Sequence, residues 1–584
     1  MASGETVVNA FAAVRRLVAV RKAEAICGLL LLLMAVNLLA SISRKSITND
    51  EIVHIPAGYY HLVAGKFQLN NEHPPLIKMW AALPLLLIQP NEPQPPPESG
   101  ASFMEKTWAF HEQFWQANRA SFSTITFWTR VMMIPITLAL GALIFVFART
   151  LFGSHAAIFA VALYSLEPTV LGHGRIVHTD VPAAFVYLLF FFILYLYARA
   201  ATWNHALILG LVTAVALLTK FSMIVLLPVL VLFLLVRLWQ WRKQKPTRKR
   251  VLLQAIVVAV IIIFGVNAGY RFSSPPLDLS DVHWLQLRSA TSHEQILKGI
   301  NAGSHVVPTY FLFGIYNVAI HNKDGHSASL LGEYRERGWW FYFPVAFALK
   351  TTLPFLLVAI MGLLWACWEL TVRREWKFLW LIFPLAVYLA LSLTGHINIG
   401  IRHLLPAFPF LFILGGGLLG RLLEAKQKTA GAALVMIVLT LSFVEAVRVF
   451  PNYIPYMNQL ASNRPHWWYL SDSNVEWGDD VGDLAQYLKA RGETQVRGAL
   501  SAGWSTLTQY GVEFVSLTPP EENPPDTRYV AIGASYLNGS TVPFFFPNGV
   551  PITPAQRVNY FEKYRNRTPE AVFGGSIYLF REHE

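Results

Sequence analysis

The sequence predicts a polytopic α-helical membrane protein, with about 11 spanning helices, and a C-terminal extracytoplasmic α/β domain. Three observations carry this. Apolar runs of roughly spanning length recur through residues 1–449 of the 584. The chain is 54% hydrophobic and only 14% charged, with a mean hydropathy of +0.41, whereas soluble domains carry about 25% charged residues. From residue 450 the composition turns polar and rich in Pro, Asn and Trp, with no spanning run. Together these exclude a single large soluble globule, a disordered chain, collagen and a disulfide scaffold.

The elements follow in order. Arg15, Arg16, Arg21 and Lys22 precede an apolar run at 25–43 that ends in Arg44 and Lys45. No small-residue cleavage pattern closes it, so it reads as a retained first helix rather than a signal peptide. Further runs lie at 124–148, 156–171, 181–199, 205–219, 221–238, 251–269, 340–367, 378–394, 403–420 and 429–449. Several are short for a span of about 20 residues. The run at 77–88 is too short to cross and precedes NEPQPPPESG, which suits a helix lying in the interface.

Basic residues set the orientation. With the N-terminus cytoplasmic, the connections at 239–250, 372–377 and 421–428 fall inside, and these are the most basic short loops. Arg44 and Lys45 fall outside and are outvoted. The net charge of +12 is then largely topological, and no nucleic-acid partner is expected. Two long outer loops result, 44–123 and 270–339, with the tail 450–584 outside as well. Within the tail, VGDLAQYLKARG has the spacing of an amphipathic helix, and 496–501 and 528–532 read as strands. Cys27 and Cys367 both lie in apolar runs, so no structural disulfide between them is expected.

Chemistry-bearing residues gather at the outer boundary. Asp50 and Glu51 follow the first span closely, and such carboxylates are costly unless paired or functional; a hydrated loop end or a helix cap is the competing reading. His54 lies four residues on, on the same helical face. Glu72-His73-Pro74-Pro75 leads to Lys78, a rigid turn able to present a His and a Lys. Arg130 sits inside the second run, where it either snorkels outward or meets a phosphate, whose oxygens a guanidinium matches. Glu167, His173, Arg175, His178 and Asp180 cluster in one connection, where Asp180 also has the position of a helix cap. The two histidines lack a tight metal-ligand pattern, so no metal is assigned; a divalent ion is possible but not favoured. Lys220, Arg402 and His403 fall on the same side. If Lys78, Arg130, Arg175, Lys220 and Arg402 converge, they form an anion site under the outer leaflet; contact with lipid headgroups is the alternative. Trp339, Trp340, Phe341 and Tyr342 read as an interfacial aromatic belt.

The order of these features resembles a known group: Asp-Glu after helix one, then EHPPLIK, an Arg in helix two, and HGRIVHTDVP. It is similar to the polyprenyl-phosphate-sugar-dependent integral-membrane glycosyltransferases of the GT-C fold, which include protein O-mannosyltransferases and lipid A aminoarabinose transferases. The likeness covers roughly residues 45–450. GWWFYFP, NIGIRHLLP and LSDSNVEWGDD also look like uncharacterised bacterial members. The resemblance implies that Asp50 is the general base, with Glu51 its partner in the catalytic pair. It implies that His73 is the His-Pro-Pro histidine, that Lys78 and Arg130 face the carrier phosphate, and that Arg402 does so as well. Repeated β-trefoil motifs are not found in the tail, which sets it apart from the protein O-mannosyltransferases.

The expectation is an inverting glycosyltransferase in the inner or plasma membrane. It would move a sugar from a polyprenyl-phosphate carrier to a hydroxyl on a lipid, glycan or protein at the outer face. Asp50 and Glu51 would be catalytic, and His54, His73, Lys78, Arg130, Arg175, Lys220, Arg402 and His403 would bind substrate or carrier phosphate. No cofactor is required beyond the lipid-linked donor. A lipid transporter or an inactive sugar-binding scaffold are the alternatives. A transporter more often shows inverted repeats and broken helices at the midplane, and no repeat is found in this sequence.

Overall fold

The computed structural model describes residues 3–93, 103–240, 243–277, 293–424, 427–518, 526–546 and 550–582. The protein is a multi-pass helical membrane protein. Among the described residues nine helical segments are long and apolar enough to cross a membrane: Arg21–Ile42, Arg119–Phe152, Asp180–Arg199, Phe221–Gln240, Pro246–Gly269, Leu353–Thr371, Trp376–Leu393, Ile401–Glu424 and Lys428–Val449. Two more expected spans are helices of subspanning length, Ser154–Leu166 and Trp203–Thr219.

Prolines account for where the apolar runs and the helices part. The run at 156–171 stops at Glu167, whose backbone is extended (φ −80°, ψ 118°) before Pro168 opens a short helix to His173; the residue before a proline is pushed out of the helical region. The run at 340–367 is two helices, Tyr342–Lys350 and Leu353–Thr371, because Pro354 sits in the first turn of the second. The interfacial stretch is likewise two short helices, Leu76–Ala82 and Leu85–Ile88, parted at Pro84. Trp80, Leu83, Leu86 and Leu87 are exposed on them, the face an interface would cover.

The bundle packs around Ile401–Glu424, of which 89% of the apolar window is buried. Its glycines allow this. A Cβ on Gly416 would stand 2.4 Å from the Ala156 carbonyl oxygen and 2.6 Å from the Ala160 nitrogen, so helix 154–166 lies directly against the backbone. The first span instead exposes Leu29, Leu32, Leu33 and Val36, a surface suited to lipid and not to water.

The described parts of the long connections carry helices and strands. The first carries helices Asn49–Ala64 and Phe103–Ala117. The second carries His293–Gly303 and Thr309–Asp324, then a hairpin of β1 (Ala328–Leu330) and β2 (Glu333–Arg335). In the tail the expected amphipathic helix is Val481–Lys489, with Val481, Leu484, Ala485 and Leu488 buried. The expected strands are β3 (Gln495–Ala499) and β5 (Tyr529–Gly533). They join β4 (Glu513–Ser516), β6 (Ala571–Phe573) and β7 (Ile577–Arg581) in the order β4-β3-β5-β7-β6. β3 runs parallel to β4 and β5, and β7 antiparallel to β5 and β6.

Residues 450–480, the first part of the expected tail domain, lie against the helical bundle. Asn458 donates to the carbonyls of Ala348 (2.6 Å) and Thr351 (2.7 Å). Buried Lys350 donates to Asn474 (2.6 Å) and Ile454 (2.5 Å) carbonyls. Leu331 and Gly332, in the β1–β2 turn, donate to Tyr469 and Trp468 carbonyls. This segment joins the sheet to the membrane part at the end of the bundle that carries residues 44–93.

Candidate active site

Helix 49–64 starts with a capping box. Thr48 donates through its backbone nitrogen (2.8 Å) and hydroxyl (3.0 Å) to Glu51 Oε2, which satisfies otherwise orphaned groups at the helix start. Glu51 also accepts from Val177 N at 2.9 Å. It forms a two-point pair with Arg130, Nε–Oε1 2.8 Å and Nη2–Oε2 2.5 Å, with both side chains fully buried. Arg130 donates further to the carbonyls of Lys45 (2.8 Å) and Ser46 (2.5 Å). Burial works against ionisation of Glu51, but Arg130 and the hydrogen bonds from Thr48 and Val177 hold its carboxyl below the usual range.

Two of the expected site residues thus face each other. Glu51 has no room to act on substrate, because five donors fill it. Arg130 commits four hydrogen bonds inside the protein and offers no face to a carrier phosphate. The pair is a clamp that fixes the end of the first span, the start of helix 49–64 and the 174–178 connection.

Asp50 points the other way. Its side chain is 20% exposed and ion-paired with Arg402. Trp477 Nε1 donates to its Oδ1 at 3.2 Å, and the Arg402 guanidinium lies 4.3 Å over the Trp477 ring. Arg402 Nη1 is also 3.8 Å from Asp180 Oδ2. Asp180 is in turn ion-paired with Lys220, and His178 Nδ1 stands 3.1 Å from its second oxygen. Two carboxylates and two cations thus alternate: Asp50, Arg402, Asp180, Lys220. Burial opposes the Asp50 charge, but Arg402 and then His54 hold the carboxyl below its ordinary range.

The other expected residues take several positions. His54 is buried, its Nδ1 3.0 Å from the Val177 carbonyl oxygen, and burial pulls its pKa down to about 4. Its ring meets His73 edge-on at 5.3 Å. His73 and His403 are partly exposed. Lys78 is 1% exposed, and its ammonium donates to the Asn70 carbonyl (2.6 Å), Asn70 Oδ1 (3.1 Å) and the His73 carbonyl (2.9 Å). Burial draws its pKa to about 7. All three of its donors are engaged on the loop before Pro74. Arg175 is fully buried and paired through Nη2 with Asp479 at 3.2 Å, while its Nε and Nη1 have no hydrogen-bond partner among the described residues. Of the expected cations, Lys220 and Arg402 stand beside Asp50 and Asp180. Among the described residues no group of three or more His, Cys, Asp or Glu side chains gathers as for a metal ion.

Sequence reasoning missed the contribution of residues 471–480. Trp477 touches both Asp50 and Arg402, Asp479 pairs with Arg175, and Asp480 pairs with Lys45. Glu476 accepts from Ser501 N (2.8 Å) and Oγ (2.7 Å), tying this segment to the sheet. Burial pushes the Glu476 carboxyl up to about 8. The available signal was Asp472, Glu476, Asp479 and Asp480 crowded around Trp477.

Comparison with known proteins was made against this geometry. Residues 122–266 match a protein family described as dolichyl-phosphate-mannose-protein mannosyltransferase. The match covers Arg130 and HGRIVHTDVP, two of the features that carry the resemblance, and not Asp50, Glu51 or EHPPLIK. The matched stretch contains Arg130, Arg175, Asp180 and Lys220, and so half of the charge ladder. Among solved structures, ArnT from Cupriavidus metallidurans bound to undecaprenyl phosphate is 14% identical at a TM-score of 0.45, over 94% of this chain and 97% of that one. An oligosaccharyltransferase from Archaeoglobus fulgidus, in complex with zinc and sulfate, is 11% identical at 0.44, over 86% and 68%. AglB from the same organism, in complex with an inhibitory peptide and a dolichol-phosphate, is 10% identical at 0.44, over 87% and 69%. These are distant likenesses. No curated protein matches the sequence.

Proposed function

We propose that this protein is an inverting glycosyltransferase that takes a sugar from a polyprenyl-phosphate carrier and passes it to a hydroxyl group at the outer face of the membrane. The observation that carries the reading is Asp50, a partly exposed carboxylate held beside Arg402 and within the ladder that ends in Lys220. The family match over 122–266 supports the donor class. In this reading residues 1–449 form the transferase module and 450–584 an extracytoplasmic α/β domain, with the N-terminus cytoplasmic.

The chemistry needs a base and an anion site. Asp50 takes the proton of the acceptor hydroxyl as its oxygen bonds to the anomeric carbon. The bond from that carbon to the phosphate oxygen breaks, and the carrier leaves as a phosphomonoester. Arg402 and Lys220 face the developing phosphate charge, the stage at which fixed cations lower the barrier. No further cofactor is invoked.

The test is transfer in detergent from a panel of radiolabelled polyprenyl-phosphate sugars, with a membrane extract as acceptor source. Label entering a new product with wild type and not with Asp50→Asn is the expected result. Tight carrier binding with no transfer from any donor would overturn it and favour a lipid transporter or a sugar-binding scaffold.

A further inference from the structure

Arg402 stands between two anions. One Nη1 contacts Asp50 and lies 3.8 Å from Asp180 Oδ2, while its buried Nε has no hydrogen-bond partner among the described residues. The surroundings are fixed on both sides. Trp477 is seated by the clamp of Lys350 on Asn474 and by Glu476 on Ser501. Asp180 is held by Lys220 and starts the helix Asp180–Arg199. Asp50, Arg402, Asp180 and Lys220 sum to no net charge. A phosphodiester entering this ladder adds one anion to two cations already engaged, so it must compete for them. The Lys220 and Asp180 side chains are 9% and 3% exposed, against 20% for Asp50. The contact that can yield is Arg402 with Asp50.

We propose that Arg402 is a latch shared by Asp50 and the donor phosphate: in the empty site the base is occupied by the guanidinium, and the arriving phosphate takes Arg402 and frees Asp50 for the acceptor hydroxyl, so the donor binds first. This rests on the transferase reading and deepens it. A base freed only by donor cannot activate a hydroxyl when no sugar is present to receive it. After transfer the leaving group is a phosphomonoester, which carries more negative charge near neutral pH than the diester did. It therefore holds Arg402 more firmly than the donor does, and the spent carrier inhibits against donor.

The latch is measured by the binding of a polyprenyl monophosphate to the full-length protein in detergent, for wild type, Asp50→Asn, Asp50→Glu, Arg402→Gln and the Asp50→Asn/Arg402→Gln double variant. Melting temperatures confirm that each variant is folded. Removing the competing charge in Asp50→Asn is expected to tighten binding, by a factor within the 5–150-fold usual for coupled sites. Asp50→Glu keeps the charge and stays near wild type, and the gain vanishes in the double variant. If Asp50→Asn binds no tighter while Arg402→Gln loses affinity, the phosphate site stands and the latch falls. An equal gain in Asp50→Glu would also overturn the latch. If no variant binds saturably, the transferase reading fails and the latch with it.

Discussion

Asp50→Asn preserves the size of the side chain and can still accept from Trp477, but it removes the proton acceptor. Transfer is expected to fall by about 10²–10⁴-fold, the usual worth of a general base, while the lipid carrier still binds; initial rates and carrier binding measured on one preparation check this. Glu51→Gln acts differently. It leaves Arg130 charged and uncompensated at a fully buried position, which destabilises by about 3–5 kcal/mol. The expected readout is a lowered melting temperature in detergent, before any change assignable to chemistry. Glu476 gives a pH signature. Its carboxyl is pushed up from its ordinary 4.5 to about 8 when folded, so its favourable contribution is whole below about 4.5. As the pH rises toward 8 the unfolded chain releases this proton and the folded chain keeps it, and stability falls across that window. Glu476→Gln is expected to flatten the melting temperature between about pH 5 and 8. An unchanged slope would place the titrating group elsewhere.

At the scale of elements, the segment 471–480 is the part of the site least accessible to reasoning from sequence. The spans were legible because hydropathy is a local property, and all eleven runs became helices, two of them too short to cross alone. The breaks at Glu167–Pro168 and Thr352–Pro354 follow from local rules too, and were readable in principle. Partnership was not. Arg130 meets Glu51 79 positions away, and Trp477 meets Asp50 427 positions away. An intramembrane arginine looks the same in sequence whether its anion is a phosphate or a glutamate from a neighbouring turn. Lys350 makes the point testable. It touches no substrate in the proposed reaction, yet its ammonium bonds the carbonyls that seat Asn474 and Ile454. Lys350→Met leaves both carbonyls buried without a donor, about 1–3 kcal/mol each. It is expected to lower kcat/KM for the donor through displaced Trp477, which touches both Asp50 and Arg402.

At the scale of the whole molecule, the proposed orientation makes a labelling prediction. Cysteines introduced at Ser462 and at Arg374 lie at opposite ends of the bundle by chain order. The first is expected to react with an impermeant maleimide added to intact cells, and the second only after permeabilisation; the reverse pattern would invert the topology. One further consequence belongs to this scale. Lys45 is held by Asp480, Asn49 donates to the Trp477 carbonyl, and Asp50 rests on Trp477. The corner around Asp50 is therefore closed by residues that the ribosome makes more than four hundred positions later. Until residues 471–480 have been made, Asp50 lacks its seat on Trp477. On the proposed reading, a chain stalled before these residues are made lacks transferase activity.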